Sequence, residues 1–170
     1  AVAQRWRERP PAGFVCAAGI TTVAPAVARL LGTVARLPDG MVVFPALDLE
    51  MPEEEWQALG PHDPDPDSGR RPPVIETHPQ FHLKLLLDRM DVARGEVARW
   101  RLGGGRDAPA ARSRAIANAM APALFTEKWR RLRPAERRLG GVRALELADP
   151  AEEAQAIAIA LRAVLEEPGR

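Results

Sequence analysis

Two histidines four residues apart, His78 and His82, could present both imidazoles on one helix face, the spacing by which helices hold a transition metal. Pro79 places His78 at or just outside a helix start, and the remaining histidine, His62, falls in a loop, so a capping or surface role is preferred for both. Cys16 sits among apolar neighbours and reads as a buried, inert thiol rather than a nucleophile. Asp63, Asp65 and Asp67 resemble a cation loop only superficially, because prolines separate them and no bidentate Glu follows at the right distance. Asp48, at the end of a short apolar run, is the best single site carboxylate, although capping the short helix behind it is the preferred reading. There is no GxxxxGK[ST] phosphate loop, no GxSxG elbow and no HExxH pair. Taken alone these residues do not make an enzyme, and no cofactor or metal is expected.

The elements that would position them follow from apolar spacing and punctuation. Residues 1–9 read as a helix ended by Pro10-Pro11. Phe14-Val15-Cys16-Ala17-Ala18, closed by Gly19, has no alternation and predicts a strand covered on both faces, as in parallel sheets. Val27, Leu30, Leu31 and Val34 form the stripe of an amphipathic helix that Pro25 introduces, and Met41 to Phe44 is a second strand. Strand, helix and strand in this order predict a parallel βαβ unit. A short helix follows, with Glu53, Glu54 and Glu55 at its start, Trp56 and Leu59 on its apolar side, and Gly60 as its stop.

Residues 61–73 hold five prolines and predict a loop. A helix is expected from Thr77, with Phe81, Leu83, Leu86, Leu87 and Met90 buried and Val92, Val97 and Trp100 continuing the packing up to Gly103-Gly104-Gly105. Residues 107–132 predict helix, with Asp107 as N-cap, an interruption at Pro122, and Ile116, Met120, Leu124, Phe125 and Trp129 inward. After Gly140-Gly141, residues 142–147 predict a strand. Asp149-Pro150-Ala151-Glu152 then opens a last helix with Ile157, Leu161, Val164 and Leu165 as its stripe and Gly169 near its end. The chain looks like a piece cut from a longer one.

The 170 residues are 46% hydrophobic, enough for a packed core, and no apolar run is long enough to cross a membrane. One cysteine excludes an intrachain disulfide framework and a multi-cysteine metal site. The net charge of +1 conceals segregation. Residues 1–36 carry +4, 37–79 carry −8, 80–143 carry +9 and 144–170 carry −4, with 22 Arg against 2 Lys. Clustered arginine attracts phosphates whatever the average charge, although the same charges can pair with acidic segments of the chain or simply be solvated.

The runs AAGITTVAPAVARLLGTVARLPDGMVVFPALDL (17–49), HPQFHLKLLLDRM (78–90) with Val97 and Trp100, and ADPAEEAQAIAIALRAVLEEPGR (148–170) resemble the alphaproteobacterial form of the AddB family. AddB chains are the non-motor subunits of helicase–nucleases that process double-strand DNA ends for recombination. The resemblance spans nearly the whole chain in the same order and departs at His82 and Ala46, where the family pattern has a small residue and Gly. It implies an α/β fold of degenerate, superfamily-one, RecA-like parallel βαβ units with an inserted helical region. Residues 1–60 would end a first lobe, 61–140 would be a loop and basic insert, and 141–170 would begin a second lobe.

In a working helicase the first strand would end in an acidic pair that handles magnesium and water. Here Ala18-Gly19-Ile20-Thr21-Thr22 offers no carboxylate, which makes ATP hydrolysis by this segment implausible. The iron–sulfur nuclease domain of the family needs cysteines that this chain lacks. The implied partners are the AddA motor subunit, double- and single-stranded DNA and the rest of the same chain, in the cytoplasm and without a membrane. Arg112, Arg114, Arg130, Arg131, Arg133, Arg137 and Arg138 are the candidate phosphate contacts, since arginine meets phosphate oxygens through a planar fork. Trp100 and Trp129 could stack on bases, with core packing the preferred role for both. The other functions considered are a pure protein-interaction module and a small α/β enzyme built around Asp48 and His78.

Overall fold

A computed structural model describes residues 2–100, 110–137 and 144–167. The chain divides into two compact units, Ala1–Arg138 and Leu139–Arg170. The first is an α/β unit. Helix α1 (Val2–Glu8) precedes strand β1 (Val15–Ala18), helix α2 (Pro25–Ala35) and strand β2 (Gly40–Val43), and β1 pairs with β2 in parallel, Val15 opposite Gly40 and Ala18 opposite Val43. The strand–helix–strand expectation is met because Pro25 is pre-set for a first helical turn and the turn at 36–40 returns the chain beside β1.

Helices α3 (Glu53–Ala58) and α4 (Phe81–Met90) complete the core. Gly60, at φ +81, lets the chain turn out after α3. Helix α4 is the centre of the unit. Leu86 and Met90 pack with Ala28 and Leu31 of α2 and with Ala17 and Val42 of the sheet, while Phe81 and Leu87 pack with Met51, Trp56 and Leu59. The α2 and α4 stripes read from the sequence are therefore the core, with Leu31, Leu59, Leu86 and Leu87 fully buried. Gly32 allows the close crossing. A Cβ there would lie 3.0 Å from the Met90 carbonyl oxygen, and Arg36 reaches across to donate to the carbonyls of Met90 and Asp91 at the end of α4.

The sheet corrects one expectation. Two strands are all that the described residues provide, and α2 and α4 cover one face only, so burial alternates along β1 and Cys16 is exposed rather than buried. Helix α4 begins at Phe81, not Thr77. Residues 75–81 first make two tight turns, His78 donating to the Ile75 carbonyl and Phe81 to that of His78, because Pro79 has no N–H to give.

The stretch expected to be helical over 107–132 is helix α5 (Ala110–Ala119), a break at Pro122 and a 3₁₀ segment, Ala123–Arg130, followed by a shorter one, Pro134–Arg137. Its expected inward side is mostly outward: Ile116, Met120, Leu124 and Trp129 are exposed, and of the α5 residues only Ala115 is buried. Among the described residues no apolar layer covers that side of the Ala-rich helix. Trp100 is exposed as well, against its expected place in the core. Gly103-Gly104-Gly105, Asp107, Gly140-Gly141 and Gly169 lie outside the described residues.

In the second unit, residues 144–147 form no strand, and 142 and 143 lie outside the description. Helix α6 (Pro150–Glu166) starts as its sequence dictates: the Asp149 carboxylate accepts from the N–H groups of Ala151 (2.8 Å) and Glu152 (2.9 Å), and Glu152 reaches back to Ala148 N. Its stripe of Ile157, Leu161, Val164 and Leu165 is spaced as expected but exposed throughout, because no described residue of this unit packs against it.

Candidate nucleic-acid interface

The described candidate arginines belong to the segment from α5 to Arg137, and one ion pair to a buried carboxylate anchors that segment. Lys128 Nζ lies 2.6 and 2.9 Å from the two carboxylate oxygens of Glu55, whose side chain is 4% exposed inside α3. The sequence marks Glu55 as one of three acids at a helix start, a solvated role. Its inward turn follows from its neighbour Trp56, also buried, which commits that side of a six-residue helix to the core. Beside the pair, His78 is buried. Its Nδ1 accepts from Gln80 N at 3.1 Å, and the ring also bonds the Met120 backbone. Burial is the main cause that holds the His78 pKa below its ordinary value, outweighing the Met120 bond and the nearby charges of Glu55 and Asp48. Gln80 then clasps the loop after β2, donating to the Ala46 carbonyl (3.0 Å) and accepting from Asp48 N (2.9 Å).

These contacts place the other sequence candidates. Asp48 Oδ1 accepts from Glu50 N at 2.9 Å, closing an Asx turn, and the N-cap of α3 is Pro52 instead. His82 is exposed on α4, its ring in a T-shaped contact with that of Phe81. Among the described residues no set of three His, Cys, Asp or Glu gathers at metal-binding distance. Asp65 accepts from the Ser68 hydroxyl and N–H, both at 2.7 Å, and from Asp67 N, which holds its carboxyl below the usual range. That loop of acids is folded on itself.

The basic block divides by partner. Lys84 pairs with Asp88, Arg94 with Glu53 while lying 4.7 Å over the Trp56 ring, and Arg99 with Glu50. These cations and Lys128 are neutralised within the fold. Arg130 makes only an exposed contact with Glu127, at 3.4 Å. Arg114, Arg131, Arg133 and Arg137 are exposed and their guanidinium groups have no partner among the described residues, although Arg133 N donates to the Glu136 carboxylate at 2.9 Å. Arg112 is half-buried, and Arg138 lies outside the described residues. Trp129 is pinned at the surface by its indole N–H, which donates to the Asn118 carbonyl at 2.7 Å. Its exposed ring is a flat face beside these arginines in sequence. The spacing of apolar residues could not have separated the paired cations from the outward ones. Their acidic partners lie 41 to 73 residues away in the case of Arg94, Arg99 and Lys128.

A groove of about 1650 Å³ opens beside the segment, running from β2 and the loop at 44–52 to α5. Met41, Trp100, Ile116 and Met120 give it exposed apolar walls, and Arg114 and Lys128 reach it from α5 and the 3₁₀ segment. No family model, curated protein or solved structure matches the chain. No described helix is long and apolar enough to cross a membrane.

Proposed function

We propose that this chain is a non-catalytic, helicase-like scaffold segment of an AddB-type subunit in a complex that repairs DNA double-strand breaks by recombination. In this role it contacts DNA and the AddA motor in the cytoplasm. The observation that carries the DNA contact is the set Arg131, Arg133 and Arg137, turned to solvent with no ion pair to their guanidinium groups among the described residues, on a segment that Lys128 anchors to the buried Glu55. Outward arginines on a fixed support are what a phosphate backbone needs, since phosphate contacts position a protein without reading bases. The parallel β1–α2–β2 unit supports a RecA-like origin, and Ala46 adds to it. At φ +53 this residue occupies the left-handed region that favours glycine, at the place where the family pattern carries Gly.

A protein partner is the second reading, favoured by the groove with its exposed Met41, Trp100, Ile116 and Met120. Binding of a labelled DNA duplex to the 170-residue chain, measured across a salt series, separates the two. The triple variant Arg131→Gln, Arg133→Gln, Arg137→Gln is expected to lower the salt slope by about 2–3, since each phosphate that is no longer neutralised removes about 0.9. Unchanged affinity and slope would leave the interaction module as the reading to keep.

A further inference from the structure

The first basic block, residues 1–36, is separate in sequence from the α5–Arg137 segment, yet the fold concentrates it. Arg7 of α1 donates through Nε to the hydroxyl of Thr33 on α2 at 3.3 Å, and that hydroxyl donates to the Arg29 carbonyl at 2.9 Å. Arg29 and Thr33 of α2 and Arg36 at its C-cap follow one another at helical spacing, so Arg7 lies across a ridge with an arginine about a turn away on each side. Arg5 on α1 and Arg9 just past its end are four residues apart and share a face, Arg9 N still donating to the Arg5 carbonyl at 2.8 Å. All five arginines are exposed. The only acid on the two helices is Glu8, which accepts from Gln4, and Asp91 makes a 3.4 Å contact with Arg36. The side chains of Arg5, Arg9 and Arg29 have no partner among the described residues. Of the large apolar residues on these helices, Val2 alone is exposed.

We infer that the α1–α2 ridge is a second polyanion site that takes the phosphodiester backbone of nucleic acid. An arginine cluster opposed only by Glu8 and Asp91 among the described residues, with almost no exposed apolar surface, suits phosphate, because protein interfaces centre on apolar and aromatic anchors whereas backbone contacts on nucleic acid are polar and arginine-rich. Arg7 and Arg36 are held by Thr33 and by the end of α4, giving the site a fixed floor, and Arg5, Arg9 and Arg29 supply the free forks. The inference rests on the reading that the chain contacts DNA, and it adds a surface remote in sequence from Arg131, Arg133 and Arg137.

The test uses the whole 170-residue chain with Arg5→Gln, Arg9→Gln and Arg29→Gln, which spare the arginines that hold the fold together. Anisotropy of a labelled duplex of about 20 base pairs is recorded from about 50 to 200 mM salt, beside wild type, the Arg131/Arg133/Arg137 variant and an Arg70→Gln/Arg71→Gln control in the acidic loop. The expected result is an affinity at the lowest salt reduced more than about tenfold and a salt slope lowered by about 2–3, with the control close to wild type. Wild-type binding by the ridge variant, with loss in the Arg131/Arg133/Arg137 variant, overturns the ridge and leaves the proposed function standing. Equal loss in the Arg70/Arg71 control overturns it in favour of a net-charge effect. No duplex binding by wild type overturns both readings, and binding of polyglutamate in place of duplex overturns the ridge as a nucleic-acid site and assigns it to an acidic protein.

Discussion

The Lys128–Glu55 pair makes a quantitative claim about how the arginine-bearing segment is held. Lys128→Met leaves the Glu55 carboxylate, 4% exposed, without the ammonium that meets both of its oxygens. Breaking a fully buried ion pair by removing one partner costs about 3–5 kcal/mol. Lys128 is itself 25% exposed, so water can reach the vacated place and recover part of that. The expected loss is about 2–3 kcal/mol. Replacing both partners, Glu55→Met with Lys128→Met, removes the stranded charge along with the bond and fills similar volume. That variant is expected to lose less than about 1 kcal/mol, since a well-packed apolar pair roughly matches a buried ionic one.

Urea unfolding of the whole chain, followed by tryptophan emission, reads this directly. Trp56 is buried in the helix that carries Glu55 and Trp6 is half-buried on α1, whereas Trp100 and Trp129 are exposed already and report little change. With a slope of about 1–3 kcal/mol per molar urea, the single variant's midpoint should fall by about 0.7–3 M and the double variant's should return most of the way. The double-variant recovery is the decisive result. If the double variant is as unstable as Lys128→Met, the loss comes from packing around the lysine stem, and the ion pair does not anchor the segment.

Two further outcomes follow from single residues. Ala46→Gly should stabilise the first unit by about 0.5–1 kcal/mol, because a left-handed L-residue costs about 1–2 kcal/mol and the added backbone freedom of glycine takes back part of the gain. An unchanged or lower melting temperature would count against strain at this turn. His78 has a pKa below its ordinary 6.5, so the unfolded chain binds a proton that the folded chain resists, and stability is present above about pH 6.5 and lost as pH falls through that value toward the folded pKa. Comparing wild type with His78→Gln at about pH 7.5 and about pH 5.5 should show the larger acid-side loss in wild type, and equal losses would refute the role given to burial of the ring.

The parts legible in the sequence are those fixed by local pattern. Pro25 and the Val27-Leu30-Leu31-Val34 stripe place α2, Trp56 and Leu59 face the core, and Asp149-Pro150 with Glu152 caps α6 through the bonds those residues can make at that spacing. What pattern does not carry is how many layers surround an element. Cys16 is exposed because the described sheet has two strands with helices on one face, and a run of small apolar residues looks the same whether one face is covered or two. Ile116 and Met120 have the spacing of a buried stripe and face the groove instead. Glu55 illustrates the converse. An acid in a first helical turn is read as solvated until a lysine 73 residues later is seen to meet it.

The same limit governs the candidate site, and it changes what a charge count means. A block of +9 over residues 80–143 suggests a single basic surface, but Lys84, Arg94, Arg99 and Lys128 are consumed by Asp88, Glu53, Glu50 and Glu55. The acidic block at 37–79 is in turn partly neutralised by the cations it holds, so neither block presents its summed charge to a partner. Residues 1–36 carry less than half as much net charge, yet they have one acid and expose all five arginines, which makes the smaller block as strong a candidate surface as the larger one. A polyanion responds to the cations left unpaired, and counting those requires the long-range pairs first. Salt slopes of variants at Arg5, Arg9 and Arg29 and at Arg131, Arg133 and Arg137 therefore measure what the sequence total of +1 conceals.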